Sequence, residues 1–302
     1  YDEFFGIMAG GVDYFTHCSS NGEHDLYIDE DEHHEVGYLT DVLSQRAVDH
    51  IHERAADAKA GQPFMLSLHY TAPHWPWETR DDVHVAPDVA KNLFHLHGGD
   101  VQTYRRMIHH MDEGVGRLMA ALTGHGLEEN TMVVFTSDNG GAGYIALPDI
   151  NKPYRGWKLT HFEGGTHVPF MAKWPARIAP GTVLEAPVHH IDLLPTITAA
   201  AGAEHAQPDL DGVDLLPFIS GDNQTAASAV PHDTLFWREG YQQTVRHQNW
   251  KLIRADRPDK RWLFNLAIDP TEQANVATQN PLRVAQLEAL LDEHNARQAD
   301  PM

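Results

Sequence analysis

The stretch Thr131-Met-Val-Val-Phe-Thr-Ser-Asp-Asn-Gly-Gly141 decides the fold class of this chain. Met132 to Thr136 is short, β-branched and aromatic and is bounded by turn residues, which is the pattern of a buried strand. In open α/β sheets, ligands bind beyond the carboxyl ends of the strands. Here that end carries Asp138 and Asn139, two hard oxygen donors suited to calcium or magnesium and not to zinc. Gly140 and Gly141 let the backbone turn sharply and approach a ligand closely. An ordinary Asx turn after a strand would use the same residues.

Upstream, Tyr104, Ile108, Met111, Val115, Leu118 and Leu122 recur at spacings of three and four, and Gly124 or Gly126 ends the helix they predict. An earlier helix runs from a Thr40 cap toward Ala58, with Val42, Leu43, Ala47, Val48 and Ile51 on one side. Between the two, Pro63 to Tyr70 reads as a second buried strand. It ends in Thr71-Ala-Pro-His-Trp-Pro-Trp77, where two prolines and two tryptophans stiffen the chain around His74. Helix, turn and strand in repetition predict an α/β fold with a mostly parallel central sheet flanked by crossover helices.

Downstream, a loop from Ala142 to Phe162 contains Lys158, and Glu163 to Trp174 leads into a further strand. Ile191 to Ala201 is an apolar helix broken at Gly202. From about Val230 the texture changes to short strands at Thr234–Arg238, Gln243–Arg246, Trp250–Arg254 and Trp262–Leu266, the pattern of an antiparallel sheet. Asn280-Pro281 then opens a helix with Val284, Leu287, Leu290 and Leu291 apolar. The expected division is a catalytic-sized domain over 1–228 and a smaller antiparallel α+β subdomain over 229–302.

The 302 residues carry a formal charge of −21, from 43 acidic and 22 basic side chains. That balance argues against nucleic acid or an anionic membrane surface as a partner. No apolar run reaches the roughly 18 residues needed to span a bilayer. Cys18 is the single cysteine, so no intrachain disulfide forms. The acidic stretch Glu23–Glu35 reads as a solvated loop. His109, His110, His189 and His190 lack the i, i+4 spacing of helical zinc ligands and are assigned to packing or surface.

Taken together, Pro73-His-Trp-Pro76, Ser137-Asp-Asn-Gly-Gly141, Arg155-Gly-Trp-Lys158 and Glu163-Gly-Gly165 resemble the type I sulfatases of the alkaline phosphatase superfamily in order and spacing. The resemblance extends through Tyr1-Asp-Glu-Phe-Phe-Gly6, His190-Ile-Asp-Leu-Leu-Pro-Thr196, Trp250-Lys-Leu252 and Leu263 to Glu272. It implies an alkaline phosphatase-like fold and a calcium-dependent hydrolysis of sulfate monoesters, in which a formylglycine hydrate attacks sulfur. It also implies Asp138 and Asn139 as metal ligands, and His74 and Lys158 as the catalytic pair that binds the sulfate ester and assists the leaving group. The substrate would be a sulfated small molecule or glycan, and the compartment periplasmic or secreted. Lys158 and the metal would stabilise charge on the transferring group, and His74 would donate a proton to the departing oxygen. Glu163, Gly164 and Gly165 are read as setting loop shape.

The family's nucleophile arises from a Cys or Ser in Cys/Ser-x-Pro-x-Arg, and no segment here fits it: Cys18 stands in Cys-Ser-Ser-Asn-Gly. The paired aspartates that complete the family's metal site are also absent. The expectation is a sulfatase fragment without its N-terminal part, with an incomplete calcium site, unpaired strand edges and no activity of its own. Two other readings stay open. One is a phosphodiesterase or phosphonate hydrolase of the same superfamily. The other is a noncatalytic module that holds a sulfated glycan, with Trp75, Trp77 and Trp157 as stacking surfaces. The loops Glu78–Asp100 and Ala142–Pro153 are the candidates for setting specificity, and Asn223-Gln-Thr225 is a glycosylation sequon.

Overall fold

The computed structural model describes residues 1–89, 100–145, 147–203, 210–220 and 229–297. The sequon and residues 90–99 of the first specificity loop lie outside the described residues. The chain forms two compact units, Tyr1–Asn130 and Thr131–Met302.

In the first unit, β1 (Phe5–Gly6), β2 (Tyr27–Ile28) and β3 (Asp31–Glu32) form a small antiparallel sheet. Two long helices follow, α1 (Leu39–Lys59) and α3 (Val101–Gly124), with the single turn α2 (Ala86–Val89) between them. Helix α1 buries Val42, Leu43, Ala47, Val48 and Ile51, the side the sequence marks as apolar. Its cap is Tyr38, which makes no side-chain cap bond. Thr40 lies inside the first turn and is buried, so it does not cap the helix. Helix α3 is capped by Asp100, whose side chain accepts from Gln102 N and Thr103 N. Gly126, at φ +65°, takes the left-handed position just past its end.

The buried residues of α3 are Thr103, Met107, Gly114, Ala121 and Leu122, so Leu122 is buried as its spacing predicts, while Ile108 stays 37% exposed. Gly114 makes the seam: a Cβ there would stand 2.2 Å from Ser44 Oγ on α1 and 2.7 Å from the Tyr70 hydroxyl. Close helix packing through a glycine thus shifts the middle of the seam off Ile108, Met111 and Val115, which are exposed or half-buried, while Leu122 stays in it. Residues 63–70 form no strand. A strand needs a laddered neighbour, none of the described strands pairs with this segment, and Met65 remains 54% exposed.

In the second unit, β4 (Val133–Thr136) pairs antiparallel with β5 (Phe170–Lys173), from Val133 opposite Lys173 to Thr136 opposite Phe170. The ladders among the described strands are all antiparallel, so the parallel pairings expected of the central sheet are not among them. Helix α4 (Glu163–Thr166) is one turn, and α5 (Leu193–Ala200) and α6 (Leu216–Ile219) follow. The antiparallel subdomain is a meander of β6 (Thr234–Glu239), β7 (Gln242–His247), β8 (Trp250–Asp256) and β9 (Asp259–Asn265). One face of it, with Val245, Leu252 and Leu263, packs on Leu287 and Leu291 of α7 (Pro281–Arg297). The other face presents Ile253 and Phe264 to Phe162, in the loop that carries the sequence-predicted site.

Candidate active site

Strand β4 ends at Thr136 and delivers Ser137, Asp138 and Asn139 into a turn. The Ser137 hydroxyl donates to Asn139 O at 3.0 Å, and Asn139 Nδ2 donates to Asp138 Oδ2. The two predicted ligands therefore lie side by side, with the Asn139 amide oriented by its neighbour. Thr136 Oγ1 is 3.2 Å from His190 Nε2, which brings one of the histidines assigned to packing to the end of the same strand.

The turn is laced to the Arg155–Lys158 turn through backbone and one side chain. Gly140 N donates to Gly165 O at 3.0 Å, and a Cβ on Gly140 would stand 1.8 Å from Gly164 O. Only glycine fits where two backbones approach so closely. Asn151 accepts from Gly141 N at 2.8 Å and donates to Gly141 O at 2.8 Å and Gly156 O at 3.1 Å. Lys158 N then donates to Gly141 O at 3.2 Å. The predicted metal-ligand turn and the half-buried Lys158 thus share one rigid scaffold, a link that rests on Asn151 and that the motif spacing does not reveal.

Beneath this scaffold lies a buried charge cluster. Lys251 Nζ, on β8, is 2.7 Å from Glu163 Oε1 and 3.0 Å from Glu272 Oε1, and all three residues are buried. Glu272 Oε2 accepts from Glu163 N at 2.5 Å, and Arg155 Nη1 donates to Glu272 O at 3.2 Å. Burial pushes the Glu163 carboxyl up, but the hydrogen bond from His167 and the Lys251 charge outweigh it and hold it down at about 2. Burial raises the Glu272 carboxyl in spite of Lys251. Glu163 is therefore more than a loop former: it ties the glycine turn of α4 electrostatically to the meander.

His74 belongs to the first unit. Its backbone N donates to Thr71 O at 2.9 Å, and Nδ1 donates to Trp75 O at 2.7 Å, since a carbonyl can only accept. With Nδ1 fixed as N–H, Nε2 is the atom that gains or loses a proton. Tyr14 donates its hydroxyl to His74 O at 2.9 Å, and Gly11 leaves room for the ring: a Cβ there would be 3.3 Å from Nδ1. Cys18 is half-buried, its thiol donating to Thr16 O at 3.5 Å.

The donor set of Asp138 and Asn139 fits a hard cation in kind. In number it supplies two of the about six to eight oxygens that calcium takes.

A family model described as Sulfatase matches residues 1–203, and a second, N-sulphoglucosamine sulphohydrolase, C-terminal, matches residues 156–298. The chain belongs to the sulfatase family. Among its sulfatase relatives, the uncharacterized sulfatase YdeN of Escherichia coli strain K12 is 31% identical over 250 residues, which cover 82% of this chain and 41% of YdeN. The steryl-sulfatase of Mus musculus is 34% identical over 230 residues, covering 70% of this chain and 34% of that protein. This sulfatase chain therefore spans less than half the length of these relatives. A solved structure, Ps i-CgsB in complex with k-i-k-neocarrahexaose, superposes with a TM-score of 0.77 at 28% identity, covering 97% of this chain and 66% of that one. The PsFucS1 sulfatase from Pseudoalteromonas sp. shares the fold as well, with a TM-score of 0.61 at 22% identity over 90% of this chain and 57% of that one, so the α/β architecture with an antiparallel C-terminal subdomain is that of a solved sulfatase.

Proposed function

We propose that this chain is part of a sulfuric ester hydrolase that acts on a carbohydrate or aryl sulfate in the formylglycine- and calcium-dependent manner of its family. The observation that carries this reading is the lacing of the Asp138–Asn139 turn to the Lys158 turn through Gly141 and Asn151. It sets two candidate ligands of the hard oxygen type, the Asp138 carboxylate and the Asn139 amide, on one scaffold with the backbone of Lys158, which supports a site that neutralises charge in sulfuryl transfer. Asp138 and Asn139 would hold calcium, which when bound supplies positive charge to the sulfate oxygens. Lys158 would bind a sulfate oxygen. His74, protonated at Nε2, would release that proton to the departing alcohol or phenol, the geometry at Nδ1 keeping the ring in the required tautomer.

The carbohydrate alternative takes support from the oligosaccharide held by the similar solved structure. This chain holds no Cys/Ser-x-Pro-x-Arg segment, so by itself it is not expected to turn over sulfate esters.

The test is hydrolysis by the full reading frame that encodes this chain, assayed on an aryl sulfate and an aryl phosphodiester side by side. Replacing Asp138 or Lys158 by Ala is expected to lower sulfate turnover by about 10²–10³-fold, with the circular dichroism unchanged. Turnover like the wild type in either variant removes that residue from the mechanism, and preference for the diester overturns the sulfatase reading.

A further inference from the structure

Asp13 and Glu78 are both fully buried in the first unit, 65 positions apart in sequence, with their carboxyl groups against each other. Asp13 Oδ1 is saturated: it accepts from Phe15 N at 3.1 Å, Thr16 N at 2.5 Å and Thr16 Oγ1 at 2.7 Å. Glu78 Oε2 accepts from Tyr14 N at 3.1 Å. The remaining oxygens, Asp13 Oδ2 and Glu78 Oε1, are buried with no donor. Two carboxylates offer only acceptors, so facing them in a dry interior leaves two lone-pair sets opposed, at a cost that a single proton removes.

The other titratable groups around the pair do not supply that donor. Asp82, in the loop of Glu78, is taken up by Thr79 N at 2.7 Å and Thr79 Oγ1 at 2.6 Å. Arg80 is engaged by Asp41 of α1 at 2.5 and 2.8 Å and by Glu113 of α3 at 2.9 Å. Tyr38 donates its hydroxyl to Glu78 O at 2.8 Å, His17 turns Nε2 to Gly37 O at 3.2 Å, and Tyr104 of α3 lies beside Tyr14.

We propose that Asp13 and Glu78 share one proton, carried by Glu78, and that this acid pair is the positioning device for His74. The connection runs through Tyr14, whose backbone N holds Glu78 and whose hydroxyl holds His74 O. Tyr38 closes the arrangement, stacking on Tyr14 at 5.4 Å between ring centroids while binding Glu78 O. Burial pushes the Glu78 carboxyl up to about 9, with the Asp13 charge adding to the shift. The inference rests on the assignment of His74 to the leaving group, but the device exists whether or not sulfate is the substrate.

The sign of the pH effect follows. Glu78 binds its proton in the folded chain and releases it in the unfolded one across the interval from 4.5 to about 9. The contribution is fully present below 4.5 and is lost as pH rises through about 9. Glu78→Gln reproduces the protonated form, with an amide donor toward Asp13 and an acceptor for Tyr14 N.

The experiment uses the whole chain, with glutamate side chains isotope-labelled for infrared spectroscopy and histidine rings labelled for NMR. At neutral pH a protonated-carboxyl stretch is expected that Glu78→Gln removes. The His74 ring resonance, identified by its loss in His74→Asn, is expected to stay in place in Glu78→Gln, to shift in Glu78→Ala, and to shift in the wild type but not in Glu78→Gln as pH passes about 9. A missing carboxyl band overturns the proposal, as does a band that appears only after a chelator strips a cation from the pair. So does a His74 resonance that moves as far in Glu78→Gln as in Glu78→Ala. If Glu78→Ala does not fold, the Gln variant and the pH arm still decide. None of these readouts involves turnover, so a chain without sulfatase partners in its active site can still confirm or refute the pair.

Discussion

Asn151 and Gly141 exchange a pair of hydrogen bonds, Gly141 N to Asn151 Oδ1 and Asn151 Nδ2 to Gly141 O, each 2.8 Å long. The same Nδ2 reaches Gly156 O at 3.1 Å. Asn151 therefore uses its amide as a piece of backbone, and both its acceptor and its donors are needed. Asn151→Asp is nearly isosteric but loses both donations and sets a carboxylate against two carbonyl oxygens. We expect Asn151→Asp to destabilise the chain at least as much as Asn151→Ala, by about 1–3 kcal/mol. Urea unfolding of the three proteins checks this, and an Asp variant as stable as wild type would show that the amide does not hold the two turns.

Glycines in this chain divide by what a methyl group would meet. At Gly140 the added Cβ would sit 1.8 Å from Gly164 O, and at Gly165 2.0 Å from Thr160 O. At Gly116, inside α3 and exposed, it would meet nothing within 4 Å. Gly140→Ala should therefore disrupt the Asp138 turn, while Gly116→Ala should raise stability by up to about 1 kcal/mol through helix propensity. Thermal melts of both variants test the pair of signs. A Gly140→Ala protein melting with the wild type would mean that the two backbones do not approach as described.

What could be read from the sequence depended on how local the cause was. The extent of α1, the start of α7, the four strands of the meander and the strand before Asp138 follow from periodicity, β-branching and turn residues within a short window. The middle of the α3 seam does not, because Gly114 packs by what it lacks, and the large apolar residues around it, Ile108, Met111 and Val115, mark the neighbouring face instead. Residues 63–70 have the composition of a strand, but pairing is a property of two segments, and one segment cannot reveal it. In the candidate site the same division holds. Asp138, Asn139 and Lys158 are marked by motif, whereas Lys251 acts on Glu163 across 88 residues and is invisible until the meander is folded.

That long-range ion pair carries a prediction of its own. Lys251 is fully buried and serves two carboxylates, so Lys251→Met leaves Glu163 and Glu272 facing each other without the lysine charge between them. Removing one partner of a buried pair typically costs about 3–5 kcal/mol. The double variant Lys251→Met with Glu163→Gln, in which one of the two stranded charges is also removed, should recover part of that loss. Denaturant titration of the single and double variants measures the coupling, and strict additivity of the two losses would sink the claim that Lys251 works through Glu163.

Acid should destabilise the second unit in two steps, because two buried groups in one cluster titrate in adjacent windows. His161 lies beside Lys251 with Nδ1 2.9 Å from Thr244 Oγ1, and burial first, then the Lys251 charge, pushes its pKa down to about 4 from 6.5. The folded chain thus holds fewer protons on His161 than the unfolded chain between those values, and stability falls as pH drops from 6.5 toward about 4. Glu163, held at about 2 against 4.5 unfolded, contributes stability above 4.5 that is lost as pH falls through about 2. The first step alone is on the order of 3 kcal/mol. His161→Asn should flatten the stability profile in the upper window and leave the lower one in place, while Glu163→Gln should flatten the lower window. Unfolding free energies measured across both windows decide the matter. A His161→Asn protein that keeps the full upper slope would show that the loss of stability there belongs to some other group.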